Sequence, residues 1–194
     1  GWPDWRFYLP IAEAAVEARL PIVATNLSRA NTQALLQRGA AGLDRDLAIR
    51  LGLDRPLPAE TFKAMADEIR EDHCGHAPER LIERMVDVQR ARDAQMAERL
   101  ALAGQRDGAV LIAGAGHVRK DRGVPAHLAE RTAGATVVSL AFLGVQVSAS
   151  TPAAHAARFE RGRLQFDYVW FTPRVDDADP CEKYRRPLER LRQR

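Results

Sequence analysis

A histidine follows two closely spaced glycines in the segment Gly114-Ala115-Gly116-His117, and Arg119 lies two residues further on. Glycine lets the backbone approach a ligand closely, and a histidine at such a turn can bind a ligand or carry a proton. The two glycines suggest a dinucleotide-binding loop, but Arg119 stands where that motif has its third glycine. A ligand-binding histidine and a hydrogen-bonded structural histidine fit this pattern equally well.

A second group of candidate ligands, His73, Cys74 and His76, lies within one short segment. A closed zinc site needs a fourth ligand and usually a second cluster, and the sequence offers neither. We therefore favour a turn at a helix end, with a buried Cys74, over a metal site. The other cysteine, Cys181, is distant in sequence, so the two pair only if the fold brings them together.

The sequence predicts strands that alternate with helices along the chain. These elements must position the candidate residues. Apolar runs typical of buried strands cover 21–26, 109–113, 136–143 and 166–171. Asn26 and His117 both lie at the carboxyl end of such a run. If these strands are parallel, the two residues share the edge of the sheet where ligands collect.

Helical periodicity predicts five further segments, 8–19, 28–38, 59–73, 78–103 and one that begins near 125. Ser28 suits the N-cap of the second helix, and Gly39 suits its end. In the long fourth helix, Gln89, Arg92 and Asp93 interrupt an apolar face. Because buried charge requires partners, we expect these polar groups to pair within the core rather than to orient a ligand.

This pattern predicts an α/β fold with a mostly parallel sheet flanked by helices and a small inserted helical subdomain. The α/β domain is discontinuous, from residues 1–58 and 104–182. The helical subdomain covers 59–103, and a basic C-terminal tail covers 183–194.

Composition excludes some classes of protein. The 29 Lys and Arg residues against 26 Asp and Glu leave a net charge of +3, which gives no electrostatic ground for a nucleic-acid partner. No apolar run reaches the roughly 18–20 residues of a transmembrane segment. Because the sequence begins with Gly1 rather than Met, we expect further residues upstream, and this end does not indicate the localisation.

Four segments together resemble the ChaN-like haem-binding proteins of the Tiki superfamily. The longest is 110–125, which contains Gly114 to His117, and the others are 21–29, 73–94 and 167–182. The resemblance extends over nearly the whole chain. It implies an α/β domain with a smaller helical domain.

The resemblance further implies a protein of haem and iron uptake that binds haem at a homodimer interface without catalysis. In this family a tyrosine can bind the ferric iron, and cationic side chains can meet the haem propionates. We predict Tyr168 as the iron ligand, with Tyr8 next, and we place Asn26, His117 and Arg119 near the pocket. The implied location is the bacterial cell envelope or periplasm, with lipid anchoring through a segment outside this sequence.

The wider superfamily also includes hydrolases, which share a Gly-x-x-His element matched by Gly114 to His117. A metal-dependent hydrolase is therefore the alternative function, with His73 and Cys74 as further candidate ligands. Those hydrolases also carry a glutamate motif on an upstream strand that has no counterpart in this sequence. This departure bears on both functions, because this sequence begins too late to show the motif. We prefer a binding protein over an enzyme, and a catalytically silent scaffold that dimerises through its helical region is the third alternative.

Overall fold

Helices dominate this protein in the computed structural model, which describes residues 4–132, 134–145, 151–156, 165–174, 178–183 and 185–189. The helices in those residues are α1 (Leu9–Glu17), α2 (Arg29–Arg38), α3 (Arg45–Arg50), α4 (Ala59–Asp72), α5 (Glu79–Ala103), α6 (Val124–Arg131), α7 (Pro152–Ala156), α8 (Pro180–Lys183) and α9 (Arg185–Glu189). The strands are β1 (Leu140–Gly144) and β2 (Tyr168–Thr172). Short 3₁₀ helices cover Trp5–Phe7, Gly39–Gly42 and Ala115–Val118.

The long helix α5 organises the packing of the described residues. Side chains near its start pack against α4, those in its middle against α2, and those near its end against α6. Burying an aliphatic side chain of this kind stabilises a fold by roughly 1.5–3 kcal/mol. The buried residues of α5 are Ile82, Val86, Val88, Ala91, Asp93, Ala94, Met96 and Ala97. Asp93 is the charged residue in this buried set, and it therefore needs a partner.

The ends of helix α2 confirm the predicted signals. The Ser28 hydroxyl accepts a hydrogen bond from the backbone N–H of Asn31 at 3.1 Å, as an N-cap does. At the other end Gly39 has a φ of 65°, in the left-handed region, and a Cβ there would collide with the guanidinium of Arg84. The guanidinium can move aside, so it is the positive φ that favours a glycine where the helix ends.

The described residues form a two-stranded parallel sheet, so the mostly parallel, larger sheet is not confirmed. The strands predicted at 21–26 and 109–113 are wrong, because both segments are irregular. Ile22 is 63% exposed and Val110 is 91% exposed. An apolar run becomes a strand only when a neighbour satisfies its backbone N–H and C=O groups, and neither segment has such a neighbour among the described residues. The shared sheet edge expected for Asn26 and His117 therefore does not form.

The helices α4 and α5 lie within the predicted subdomain 59–103, but α5 also packs against α2 and α6 outside it. The division into a discontinuous domain and an inserted subdomain stays a prediction. Of the predicted basic tail, α9 is described, whereas 184 and 190–194 lie outside the described residues. No helix in the described ranges is both long enough and apolar enough to cross a membrane.

A disulfide joins Cys74, in the turn between α4 and α5, to Cys181 in α8. The two residues are 107 positions apart in sequence, and their Cα atoms lie 5.8 Å apart. The helix-end turn itself is confirmed, since His73 follows α4 and Cys74 and Gly75 both have positive φ. The condition set for pairing is met, because the fold brings Cys181 to Cys74. The prediction that Cys74 is buried is wrong, because this residue is only half-buried.

Candidate functional site

His117 lies in the 3₁₀ helix Ala115–Val118, which follows the irregular segment 109–113. The backbone N–H of His117 donates to the carbonyl of Gly114 at 2.9 Å and so closes this turn. A Cβ at Gly114 or at Gly116 would have its nearest neighbour at 3.9 or 3.7 Å, which is an ordinary contact. Close packing therefore does not require either glycine, and both leave open space beside the histidine.

The side chain of His117 is held by Asp93 of α5. Its Nδ1–H donates to Asp93 Oδ1 at 2.6 Å, and the side chain of Asp93 is only 1% exposed whereas that of His117 is 18% exposed. This hydrogen bond fixes the orientation of the ring and directs Nε2 away from the carboxylate. A histidine held in this way can offer Nε2 to a ligand or accept a proton there.

Gln89, one turn before Asp93, completes this cluster. Its amide nitrogen lies 2.9 Å from His117 Nδ1 and 3.5 Å from Asp93 Oδ2. The predicted pairing of Gln89 with Asp93 in the core is thus confirmed, with His117 as a third member. Arg92 does not complete the predicted pairing, because its buried Nε has no hydrogen-bond partner in the described structure.

Burial raises the pKa of Asp93 to about 6, because a carboxylate loses its hydration inside the protein. The hydrogen bond from His117 opposes that shift, since it favours the charged carboxylate. Asp93 is therefore mostly ionised at neutral pH, and its charge is compensated chiefly by the imidazole N–H.

A small cavity of about 80 Å³ lies beside this cluster. It is lined by Met65, Glu68, Ile69, Asp72, Gln89, Asp93, Gly116 and Arg122. One water molecule takes up about 30 Å³ of liquid, whereas pockets for drug-sized ligands measure roughly 300–1,000 Å³. This cavity can therefore hold water or a very small ligand, but not a large planar cofactor.

Arg119 is buried in an ion-pair network rather than aimed into open space. Its guanidinium donates to Asp121 at 2.7 and 3.0 Å, and Glu68 lies 4.0 Å away and pairs with Arg122. Residue Arg119 is only 7% exposed. Its charge is thus already neutralised within the protein.

The loop after His117 also contacts the start of both strands. The backbone N–H of Lys120 donates to Gln165 O at 2.8 Å, and the hydroxyl of Ser139 donates to Val118 O. Lys120 also forms an ion pair with Asp167, the residue before Tyr168. This loop therefore links the His117 turn to the amino end of the sheet.

The predicted site residues are only partly brought together. His117 and Arg119 share one loop, and that loop contacts the segment from which Tyr168 starts β2. Asn26 is exposed and accepts a hydrogen bond from the adjacent Leu27 N–H at 2.8 Å. Tyr8 stacks on Trp5 with ring centroids 6.0 Å apart, in the N-terminal helical segment. Tyr184 lies outside the described residues.

The two strands have one covered face and one open face. Ala141 is buried on the covered face, where the ring of Phe171 contacts that of His155 at 4.8 Å. The open face carries large side chains with high exposed fractions, Leu140 at 40%, Phe142 at 63%, Tyr168 at 63% and Trp170 at 64%. Packing within the described residues therefore does not account for Tyr168 and Trp170 on this face.

Sequence reasoning did not identify two features of this site. Asp93 was expected only to pair in the core, although a charged residue on the buried face of α5, four positions after Gln89, is a signal for a partner from elsewhere in the fold. The open aromatic face was missed because alternation along a strand does not tell which face is covered.

The comparison with protein families gives one match. The sequence model of a family described as haem-binding uptake, Tiki superfamily, ChaN, matches residues 1–128. The match contains Asp93 and His117 and ends before β1, so Tyr168 lies beyond it. No curated protein and no solved structure matches the chain.

Proposed function

This chain belongs to the ChaN family of haem-binding uptake proteins in the Tiki superfamily, and we propose that it binds haem for iron uptake and catalyses no reaction. The observation that carries this proposal is the family match, which spans 128 of the 194 residues. Bound haem would supply a ferric iron that a tyrosine side chain of this protein could ligate.

We propose Tyr168 as the residue that binds the iron. Its side chain is 63% exposed, whereas Tyr8 stacks on Trp5 and is half-buried. Phenolate is an established axial ligand of ferric haem. Tyr168 also stands on an apolar face beside Trp170, which suits a large planar ligand better than the small cavity near Asp93 does.

We propose that the functional form is a homodimer with haem between the two copies. The support is the open sheet face, because apolar surface of this kind is usually covered by a partner or ligand. Haem bound on that face would leave its outer side in water unless a second copy covered it. The proposed location is the bacterial envelope or periplasm, with lipid anchoring upstream, and the Cys74–Cys181 disulfide supports an oxidising compartment.

The test is a titration of the purified protein with ferric haem, followed by absorbance. We expect a shifted Soret band that saturates at about one haem per chain, with the spectrum of tyrosinate ligation. Tyr168→Phe should lose that spectrum, and the matched control Tyr8→Phe should keep it. The reverse result would assign the iron to Tyr8, and an unchanged Soret band on addition of haem to the unaltered protein would overturn haem binding.

The same preparation tests the metal-dependent hydrolase. Among the described residues, no three His, Cys, Asp or Glu side chains are grouped so as to hold a metal ion. Nothing in the described residues therefore favours the hydrolase over the binding protein. Stoichiometric zinc or manganese in protein that has no affinity for haem would favour the hydrolase instead.

A further inference from the structure

We propose that the open face of the sheet binds the porphyrin ring itself, with Phe142 and Trp170 as its floor and Arg174 as the partner of a propionate. The choice of ligand rests on the haem function proposed above. The affinity that comes from the porphyrin ring can nevertheless be measured apart from the affinity that comes from the iron, because these three side chains need no metal to bind a porphyrin.

The register of the two strands places the side chains of the open face next to one another. Phe142 is directly opposite Trp170, and Leu140 is directly opposite Tyr168. Residues two apart on a strand share a face, and adjacent strands lie about 4.8 Å apart, so these four side chains form one continuous patch. Aromatic side chains gain from offset or edge contacts with another aromatic system, and a porphyrin is such a system.

The length of the patch suits a macrocycle. Tyr168 stands at its amino end, and four residue steps along β2 to Thr172 cover about 13 Å at the usual strand rise. That length is comparable with the breadth of a porphyrin and its propionates. A ring above the patch could therefore meet Tyr168 and the two aromatic side chains together.

A cationic side chain lies at the carboxyl end of the same face. Gly144 shares the face of Leu140 and Phe142, and a Cβ on Gly144 would lie 3.9 Å from Cγ of Arg174. The Cγ methylene of Arg174 thus lies at the open face beside Gly144. A guanidinium binds carboxylates through paired hydrogen bonds, so the patch is complementary to a ligand that is apolar at its centre and anionic at one edge.

The experiment uses metal-free protoporphyrin IX, whose own fluorescence anisotropy reports binding without an iron ligand. Phe142→Ala and Trp170→Ala should each weaken binding at least about tenfold, because each loses about 1.4 kcal/mol or more of apolar contact. Phe7→Ala is the matched control, since Phe7 is 72% exposed and lies in the 3₁₀ helix Trp5–Phe7 rather than on the sheet. It should leave the affinity unchanged.

Arg174→Gln tests the propionate partner separately. It should weaken binding of the diacid but not of the dimethyl ester of protoporphyrin, since the ester has no carboxylates. If the variant weakens binding of the diacid and of the ester equally, or weakens binding of neither, the assignment of Arg174 is overturned. All variants replace side chains that are wholly or partly exposed, and their thermal unfolding should match that of the unaltered protein.

The results distinguish this inference from the haem proposal. Wild-type affinity for protoporphyrin in both aromatic variants, or no binding of protoporphyrin to the unaltered protein, would overturn the ring-binding face even where haem still binds through iron. Binding of protoporphyrin without a Soret shift from haem would overturn iron ligation and support the face. Loss of a dimer in the aromatic variants at unchanged porphyrin affinity would assign the face to a second copy and overturn the inference.

Discussion

Asp93 and His117 are 24 residues apart and meet at 2.6 Å, where they join the central helix α5 to the turn formed by Gly114 to His117. The turn follows a segment with no strand pairing among the described residues, and its contacts with the sheet run through Val118 and the loop after it. The contact with the buried Asp93 carboxylate holds the histidine ring in place, and it also leaves Nε2 of the histidine available.

His117→Ala should therefore destabilise the protein, because it leaves the Asp93 carboxylate buried without its partner. We expect the free energy of unfolding to fall by about 2–4 kcal/mol, measured by urea denaturation. Asp93→Ala alone should also cost stability. The double variant should lose less than the sum of the single losses by about 1–3 kcal/mol. Strict additivity would show that the two residues do not stabilise each other.

The raised pKa of Asp93 predicts how stability depends on pH. The folded protein holds the proton of Asp93 up to about pH 6, whereas the unfolded chain releases it near the ordinary aspartate pKa of 3.8. Since the folded state binds more protons between these values, the free energy of unfolding should decrease as pH rises from about 4 to about 6, by about 3 kcal/mol at most. Asp93→Asn should remove this part of the slope in urea denaturation at several pH values. The same slope in Asp93→Asn would contradict the assignment.

The packing of the loop after His117 predicts that alanine costs stability at Gly123 but not at Gly114. A Cβ at Gly123 would lie 2.8 Å from the carbonyl oxygen of Arg119 and closer still to that of His117, and backbone atoms cannot move aside cheaply. Gly123→Ala should therefore destabilise the protein by about 1–3 kcal/mol, measured by thermal unfolding. Gly114→Ala is the control, because its Cβ has room. Equal losses for the two variants would mean that the loop does not pack as described.

The local signals in the sequence were sufficient for the family and for the helices α1, α2, α4, α5 and α6, whereas the short helices α3, α7, α8 and α9 were not predicted. Ser28 and Gly39 bound α2 as predicted, because capping depends on hydrogen bonds within a few residues. The long helix 79–103 follows from its length and periodicity. The segment Gly114-Ala115-Gly116-His117 similarly contributed to the prediction of the family, because a family resemblance depends on the order of residues in the sequence and not on their contacts.

The strands and the contacts of the site depend on distant residues and were less predictable. The run 109–113 is as apolar as the run 136–143, yet among the described residues only the second forms a strand with a partner. Neither run contains a signal that predicts this difference. The partners of His117 come from α5, and that of Cys74 lies 107 residues away. Periodicity describes one element at a time and so cannot identify such pairs.

The disulfide gives the last prediction. It closes a loop of about a hundred residues, and loss of such a link increases the conformational freedom of the unfolded chain. Cys74→Ser with Cys181→Ser should lower the free energy of unfolding by about 2–4 kcal/mol. Reductant should lower the melting temperature of the unaltered protein to that of the double variant and should leave the double variant unaffected. If reductant does not change the melting temperature of the unaltered protein, the two cysteines are not joined in solution, and the argument for an oxidising compartment is lost with them.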